Sequence, residues 1–166
     1  MRPVPGEHRS QLPDRCQSPV VAAALELGEE GLGVTLDVGV HGRGVEPGGN
    51  LQLGDAAERL ALEGEALGGP EDLFNYTCGQ RIRALVALER GDFGEAEELA
   101  RSALDFGYRI DFPRYRGEAH VALGDVLRAA GRIDEARTEY TAALELWDGL
   151  GWTGKAEPVR QLLVQL

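Results

Sequence analysis

The chain has 166 residues, 43% hydrophobic and 27% charged, which is the composition of a globular protein of about one domain. Its 28 acidic and 17 basic residues give a formal net charge of -11, which repels phosphate backbones and anionic lipids and argues against nucleic-acid and membrane partners. No apolar run reaches the ~20 residues that cross a bilayer, and no signal-peptide pattern begins the chain, so we expect a cytoplasmic protein.

The first third of the chain, residues 1–50, is rich in proline and glycine. Because dense glycine raises the entropic cost of a fixed backbone, this segment is predicted to be poorly ordered. Two stretches within it have a pattern of their own. Residues 18–30 have the composition of a short helix, and residues 32–40 alternate like a strand, although no second alternating run offers that strand a partner.

From Leu51 onward the sequence predicts an all-α region of five or six helices. Alanine, leucine, glutamate and arginine recur at helical spacing, and glycines at about 12- to 20-residue intervals mark the helix ends. The predicted breaks are Gly68-Gly69, Gly91, Gly107, Gly131 and Gly149 to Gly151. Pro70, Pro113 and Pro158 are predicted near helix starts, where a missing backbone N–H costs least.

A repeat appears when this region is aligned with itself at an offset of 40 residues. Gly91, Ala96 and Ala103 then align with Gly131, Ala136 and Ala143. Small residues at these positions allow two helix axes to approach closely, so each unit is predicted to be a helical hairpin. A weaker copy at residues 54–67 resembles the second helix of such a hairpin.

The units resemble the tetratricopeptide repeat (TPR) family. The unit at residues 117–150 carries the landmarks Leu123, Gly124, Gly131, Ala136, Tyr140 and Ala143, and the unit at 77–110 matches more loosely through Gly91, Ala96 and Ala103. The resemblance implies a short right-handed α-solenoid of helical hairpins over residues 51–166. This solenoid would contain the half repeat 54–67, the repeats 77–110 and 117–150, and a closing helix 153–166.

The region 52–166 also resembles the C-terminal repeats of large bacterial signalling ATPases that carry cyclase or transcription-regulator domains. The resemblance implies a non-catalytic module that binds a peptide or partner helix on a concave face formed by first helices. The residues expected on that face are Arg81, Leu85, Leu88, Glu89, Glu118, Val121, Asp125 and Arg128. The alternative is a structural or oligomerisation remnant of a larger regulator.

The segment from Gly149 to Lys155 has the glycine and lysine spacing of a phosphate-binding loop. However, Ala156 lacks the hydroxyl that would hold magnesium, and a helix rather than a strand is predicted before the loop. We therefore expect a turn covered by Trp152, and a nucleotide-binding enzyme built around Lys155 remains the less favoured alternative.

Other residues that could carry chemistry have structural interpretations. The aromatic and arginine-rich segment 108–116 is expected to cap the core between hairpins, with its arginines paired to carboxylates. His120 is expected to be a half-buried core histidine with no Ser or Cys nucleophile beside it. Two cysteines and three histidines lack metal-ligand spacing, so the sequence predicts no catalytic residue, metal or cofactor.

The C-terminal end of the predicted solenoid needs an apolar cover, because fewer than three full repeats are marginally stable. Leu162, Leu163, Val164 and Leu166 are the residues available to seal it. A homodimer formed through this open end is the alternative.

Overall fold

The computed structural model describes residues 49–166, with side chains from Gly54 onward. These residues are all-α and form six helices: α1 (Gly49–Gly68), α2 (Leu73–Arg90), α3 (Phe93–Tyr108), α4 (Pro113–Ala129), α5 (Ile133–Gly149) and α6 (Thr153–Gln165). The prediction of an all-α region with five or six helices is confirmed. The helix and strand expected between residues 18 and 40 lie outside the described residues, as do residues 1–48 of the segment expected to be poorly ordered.

Three of the turns between helices share one backbone geometry. Gly91, Gly131 and Gly151 have φ of +81°, +77° and +71°, a left-handed conformation that favours glycine. After each helix the residue following the glycine donates back across the turn, as Asp92 N does to Ala87 O at 3.0 Å. This hydrogen bond satisfies a carbonyl group near the C-terminal end of the helix, where intrahelical donors run out. Helices α2, α4 and α5 therefore each end on a cap that depends on a glycine.

Each helix packs against its neighbours in sequence, and α2 also contacts α4. The main core runs through α2 to α6 and includes the repeat alanines Ala96, Ala136 and Ala143, all fully buried. A second cluster joins α1 to α2 through Ala57, Ala61, Ile82 and Val86. The predicted burial of the repeat alanines is therefore confirmed.

Two sequence predictions about helix ends are wrong. Pro158 lies inside α6 and does not begin a helix; only one intrahelical hydrogen bond is lost there, because its ring nitrogen has no proton to donate. Gly107 does not end α3, which continues to Tyr108. A Cβ at Gly107 would lie 3.6 Å from Cα of Arg116, an ordinary van der Waals distance, so the packing of α3 on α4 does not itself require a glycine here.

The two hairpins have side chains of different size at equivalent core positions. In the second hairpin Gly124 faces Tyr140, where a Cβ on the glycine would lie 2.6 Å from Cε1 of the tyrosine. The residues 40 positions earlier are Ala84 and Ala100, both buried. Gly117 likewise faces Trp147, whereas Thr77 and Gly107 occupy the corresponding positions. Each large residue is thus matched by a glycine on the facing helix.

None of the helices among residues 49–166 is both long and apolar enough to cross a membrane.

Candidate functional site

A cluster of charges from three helices surrounds Glu118 of α4. Its carboxylate lies 3.4 Å from Arg81 of α2, 3.3 Å from Arg114 of α4 and 3.6 Å from Lys155 of α6. The Glu118 side chain is only 8% exposed. Arg81 and Glu118 were both predicted on the concave face, and the structure brings them together across the contact between α2 and α4.

The electrostatics of this cluster favour an ionised Glu118. Burial raises the pKa of the carboxyl, but the charges of Arg81, Lys155 and Arg114 more than offset that effect and hold the pKa below its usual value. Three cations therefore surround one buried anion, and these ion pairs link α2, α4 and α6.

A surface cavity of about 510 Å³ adjoins the cluster and is lined by Arg114, Gly151, Trp152, Thr153, Gly154 and Lys155. The guanidinium of Arg114 lies 5.9 Å from the centre of the Trp152 ring. The cavity is formed by the segment with phosphate-loop spacing, which joins α5 to α6 as a turn. Ala156 is fully buried behind it, and Trp152 packs against the main core.

The second charge pair of the predicted face is Asp125 with Arg128, whose Nη2 lies 3.8 Å from Oδ1 of the aspartate. The Tyr140 hydroxyl also donates to Oδ1 of Asp125, at 2.7 Å. Burial raises the pKa of Asp125 to about 6, although the hydrogen bond from Tyr140 and the charge of Arg128 act in the opposite direction. Asp125 is therefore held by the hairpin core as well as by its neighbour on α4.

The apolar part of the predicted face is smaller than the sequence suggested. Leu85 and Val121 are half-buried, as a strip that accepts a partner requires. Leu88 is only 7% exposed and belongs to the main core, because the close contact of α2 with its neighbours covers it. Glu89 is exposed, and its carboxylate lies 3.8 Å from the position of a Cβ on Gly54 in α1.

The aromatic segment 108–116 packs much as expected. Phe74 contacts Tyr115 edge to face at 4.7 Å between ring centres, and Phe112 and Ile110 pack against the same cluster. Arg114 pairs with Glu118. Arg109 and Arg116 instead lie over the rings of Phe106 and Tyr108, at 5.6 and 5.2 Å from the ring centres. Aromatic faces thus take the place of the carboxylates predicted for these two arginines.

His120 is buried, as a core histidine, but it has two polar partners that the sequence did not indicate. Its Nδ1 lies 2.7 Å from Oε2 of Glu139, and its Nε2 lies 3.0 Å from the hydroxyl of Tyr108. The partners come from α5 and α3, at separations of 19 and 12 residues. Only the hairpin register, which places position 139 opposite position 120, could have indicated the carboxylate.

Among residues 49–166, no three side chains of His, Cys, Asp or Glu come together as a group that could hold a metal ion. No protein-family model matches the chain, and no curated protein or solved structure is significantly similar to it.

Proposed function

We propose that the chain is a cytoplasmic, non-catalytic interaction module of a bacterial signalling or transcription-regulatory protein. It would be a short right-handed solenoid of TPR-like hairpins that binds a peptide or a partner helix. The observation that carries this proposal is the contact of α2 with α4, the first helices of two hairpins with the same turn geometry. First helices in lateral contact form the concave, ligand-binding side in helical-repeat proteins.

The surface along α2, α4 and α6, here called the hairpin face, offers features that suit a peptide. Leu85 and Val121 supply half-buried apolar area, and an apolar strip is what an amphipathic helix or extended peptide covers on binding. Arg114 and Lys155 border the cavity at one end of the face. We therefore expect the ligand to be a peptide with apolar anchors.

The proposal is tested by selecting displayed random peptides on the full chain and measuring their affinity by fluorescence anisotropy. Leu85→Asp combined with Val121→Asp should weaken binding by about tenfold or more, because a charge in an apolar contact is costly to desolvate. Both side chains are half-buried, so circular dichroism should show little loss of helix.

The matched control places the same charges on the outer surface, with Arg101→Asp and Arg137→Asp. Both residues are exposed, and Arg101 pairs with Glu97 of its own helix. Peptide affinity should be unchanged in this variant. If the outer-surface pair abolishes binding and the hairpin-face pair does not, the hairpin face is not the binding site.

A structural or oligomerisation role is the second candidate, and the C-terminal end of the chain favours it. Leu162, Leu163 and Leu166 pack against the main core, whereas Val164 is 88% exposed. A homodimer through this end would cover Val164. Sedimentation equilibrium distinguishes the two cases: a Val164-dependent dimer that selects no peptide supports the structural role over peptide binding.

A further inference from the structure

Tyr108, His120 and Glu139 form a hydrogen-bonded relay in which a buried histidine joins a half-buried carboxylate to an exposed tyrosine. Glu139 Oε2 lies 2.7 Å from Nδ1 of His120, and Nε2 of His120 lies 3.0 Å from the Tyr108 hydroxyl. The histidine is 5% exposed and the tyrosine 58% exposed. The relay therefore ends on a phenol that a solvent-borne reagent can reach.

The order of the groups is that of an activated nucleophile. In the His120 tautomer whose Nδ1 carries the proton, Nδ1 donates to Glu139 and Nε2 accepts the hydrogen bond from Tyr108. A base in contact with a hydroxyl, oriented by a third group, is the arrangement that raises the nucleophilicity of Ser, Cys or Tyr. The arrangement is recognised by geometry, whatever the fold that holds it.

The surroundings hold the phenol in place for this chemistry. The Tyr108 and His120 rings meet edge to face at 5.7 Å between centres, and the Arg116 guanidinium lies 5.2 Å from the Tyr108 ring centre. A cation over the ring stabilises negative charge that develops on the phenolic oxygen during attack. The orientation of Tyr108 is therefore set by its ring contacts as well as by the hydrogen bond of its hydroxyl.

We propose that Tyr108 is a covalent modification site that accepts the acyl group of an activated ester. Oη attacks the carbonyl carbon, its proton moves to Nε2 of His120, the bond from carbon to the leaving oxygen breaks, and the leaving alcohol takes that proton. The products are an O-acyl tyrosine and the free alcohol. His120 is the base, and Glu139 is a positioning residue.

The test uses the full chain and p-nitrophenyl acetate, with release of nitrophenol followed by absorbance and acetylated residues located by peptide mass spectrometry. Lys155 is the one lysine of the sequence, so its acetylation and that of the amino terminus are separated by mapping. Tyr76 is the internal reference, because it is half-buried and its ring stacks on Phe106. Tyr108 should react about tenfold faster than Tyr76.

A rescue experiment separates chemistry from folding. His120→Ala should slow the acetylation of Tyr108 severalfold and leave the Tyr76 rate unchanged; Glu139→Ala should also lower the Tyr108 rate severalfold, and added formate should restore it. Tyr108→Phe should lose the label at that position. Equal labelling of Tyr108 and Tyr76 in the unmodified chain overturns the proposal, as does a Tyr108 rate that is unchanged in a folded His120→Ala variant.

Discussion

The Tyr140 hydroxyl donates a hydrogen bond of 2.7 Å to Oδ1 of Asp125, which joins the inner sides of α4 and α5. Burial and the neighbouring carboxylate in turn raise the pKa of the Tyr140 phenol above its ordinary value. The second hairpin therefore contains a polar contact between its two helices, in addition to the contact of His120 with Glu139.

The burial of Asp125 makes stability depend on pH. Because the pKa of Asp125 is about 6 in the folded chain and near 4 in the unfolded chain, only the folded state holds the proton between these values. The contribution of Asp125 to the free energy of unfolding should thus fall by about 1 to 3 kcal/mol as pH rises from 4 to 6.5. Asp125→Asn keeps an acceptor for Tyr140 and removes the titration.

Urea denaturation of the wild type and of Asp125→Asn across this pH range measures the effect. The contributions of the other carboxyl groups to the free energy of unfolding cancel when the two proteins are subtracted. The stability of the wild type relative to Asp125→Asn should decline steadily with pH. A difference that is constant from pH 4 to pH 6.5 would contradict the raised pKa.

Because Gly124 faces Tyr140, the effect of Gly124→Ala on stability should change sign when the tyrosine is removed. Gly124→Ala should destabilise the wild type by about 1 to 3 kcal/mol, because its Cβ would collide with the tyrosine ring. In a Tyr140→Ala background the same change should stabilise by about 0.5 to 1 kcal/mol, since alanine is the better helix former. A double-mutant cycle by thermal melting checks this, and additive effects would show that the two residues do not constrain each other.

The sequence predicted the helices better than the site, for a physical reason. Helix positions follow from local spacing and from glycines such as Gly91, whose left-handed conformation belongs to the turn itself. The cluster around Glu118 depends on α6 returning to α4, a long-range contact that no local pattern encodes. Leu88 shows the same limit, because its helical spacing fits a groove or a core equally well.

The register of the repeat is tested at Ala136. It is fully buried between helices, so Ala136→Leu should overpack the contact and lower the free energy of unfolding by about 1 to 3 kcal/mol. Arg137, the next residue, is exposed, and Arg137→Leu should cost less than about 0.5 kcal/mol. Equal shifts of the two melting temperatures would show that the alignment of the repeats is wrong.

Glu118 is predicted to be essential to the packing of α2, α4 and α6. Glu118→Gln leaves three cations around a neutral amide and should destabilise the fold by about 1 to 3 kcal/mol at pH 7. Because the folded pKa is lowered, the benefit of the carboxylate exists above the unfolded pKa of about 4.3 and disappears as pH falls through the folded value.

The control for this variant is Glu98→Gln, at an exposed position of α3. Chemical denaturation should show a difference in the free energy of unfolding between the two variants at pH 7. This difference should be smaller at pH 3. A gap of the same size at both values would mean that packing, and not charge, makes Glu118 important.

The complementary sizes of Gly124 with Tyr140 and of Gly117 with Trp147 have a consequence for how the chain finds its fold. If α5 docked on α2 in place of α4, Tyr140 would face Ala84 and Trp147 would face Thr77. In both cases the facing residue would have a side chain, whereas the native partner is a glycine. Similar hairpins invite such exchanges within one chain or between two copies. The glycines of α4 thus direct α5 to α4 and away from α2.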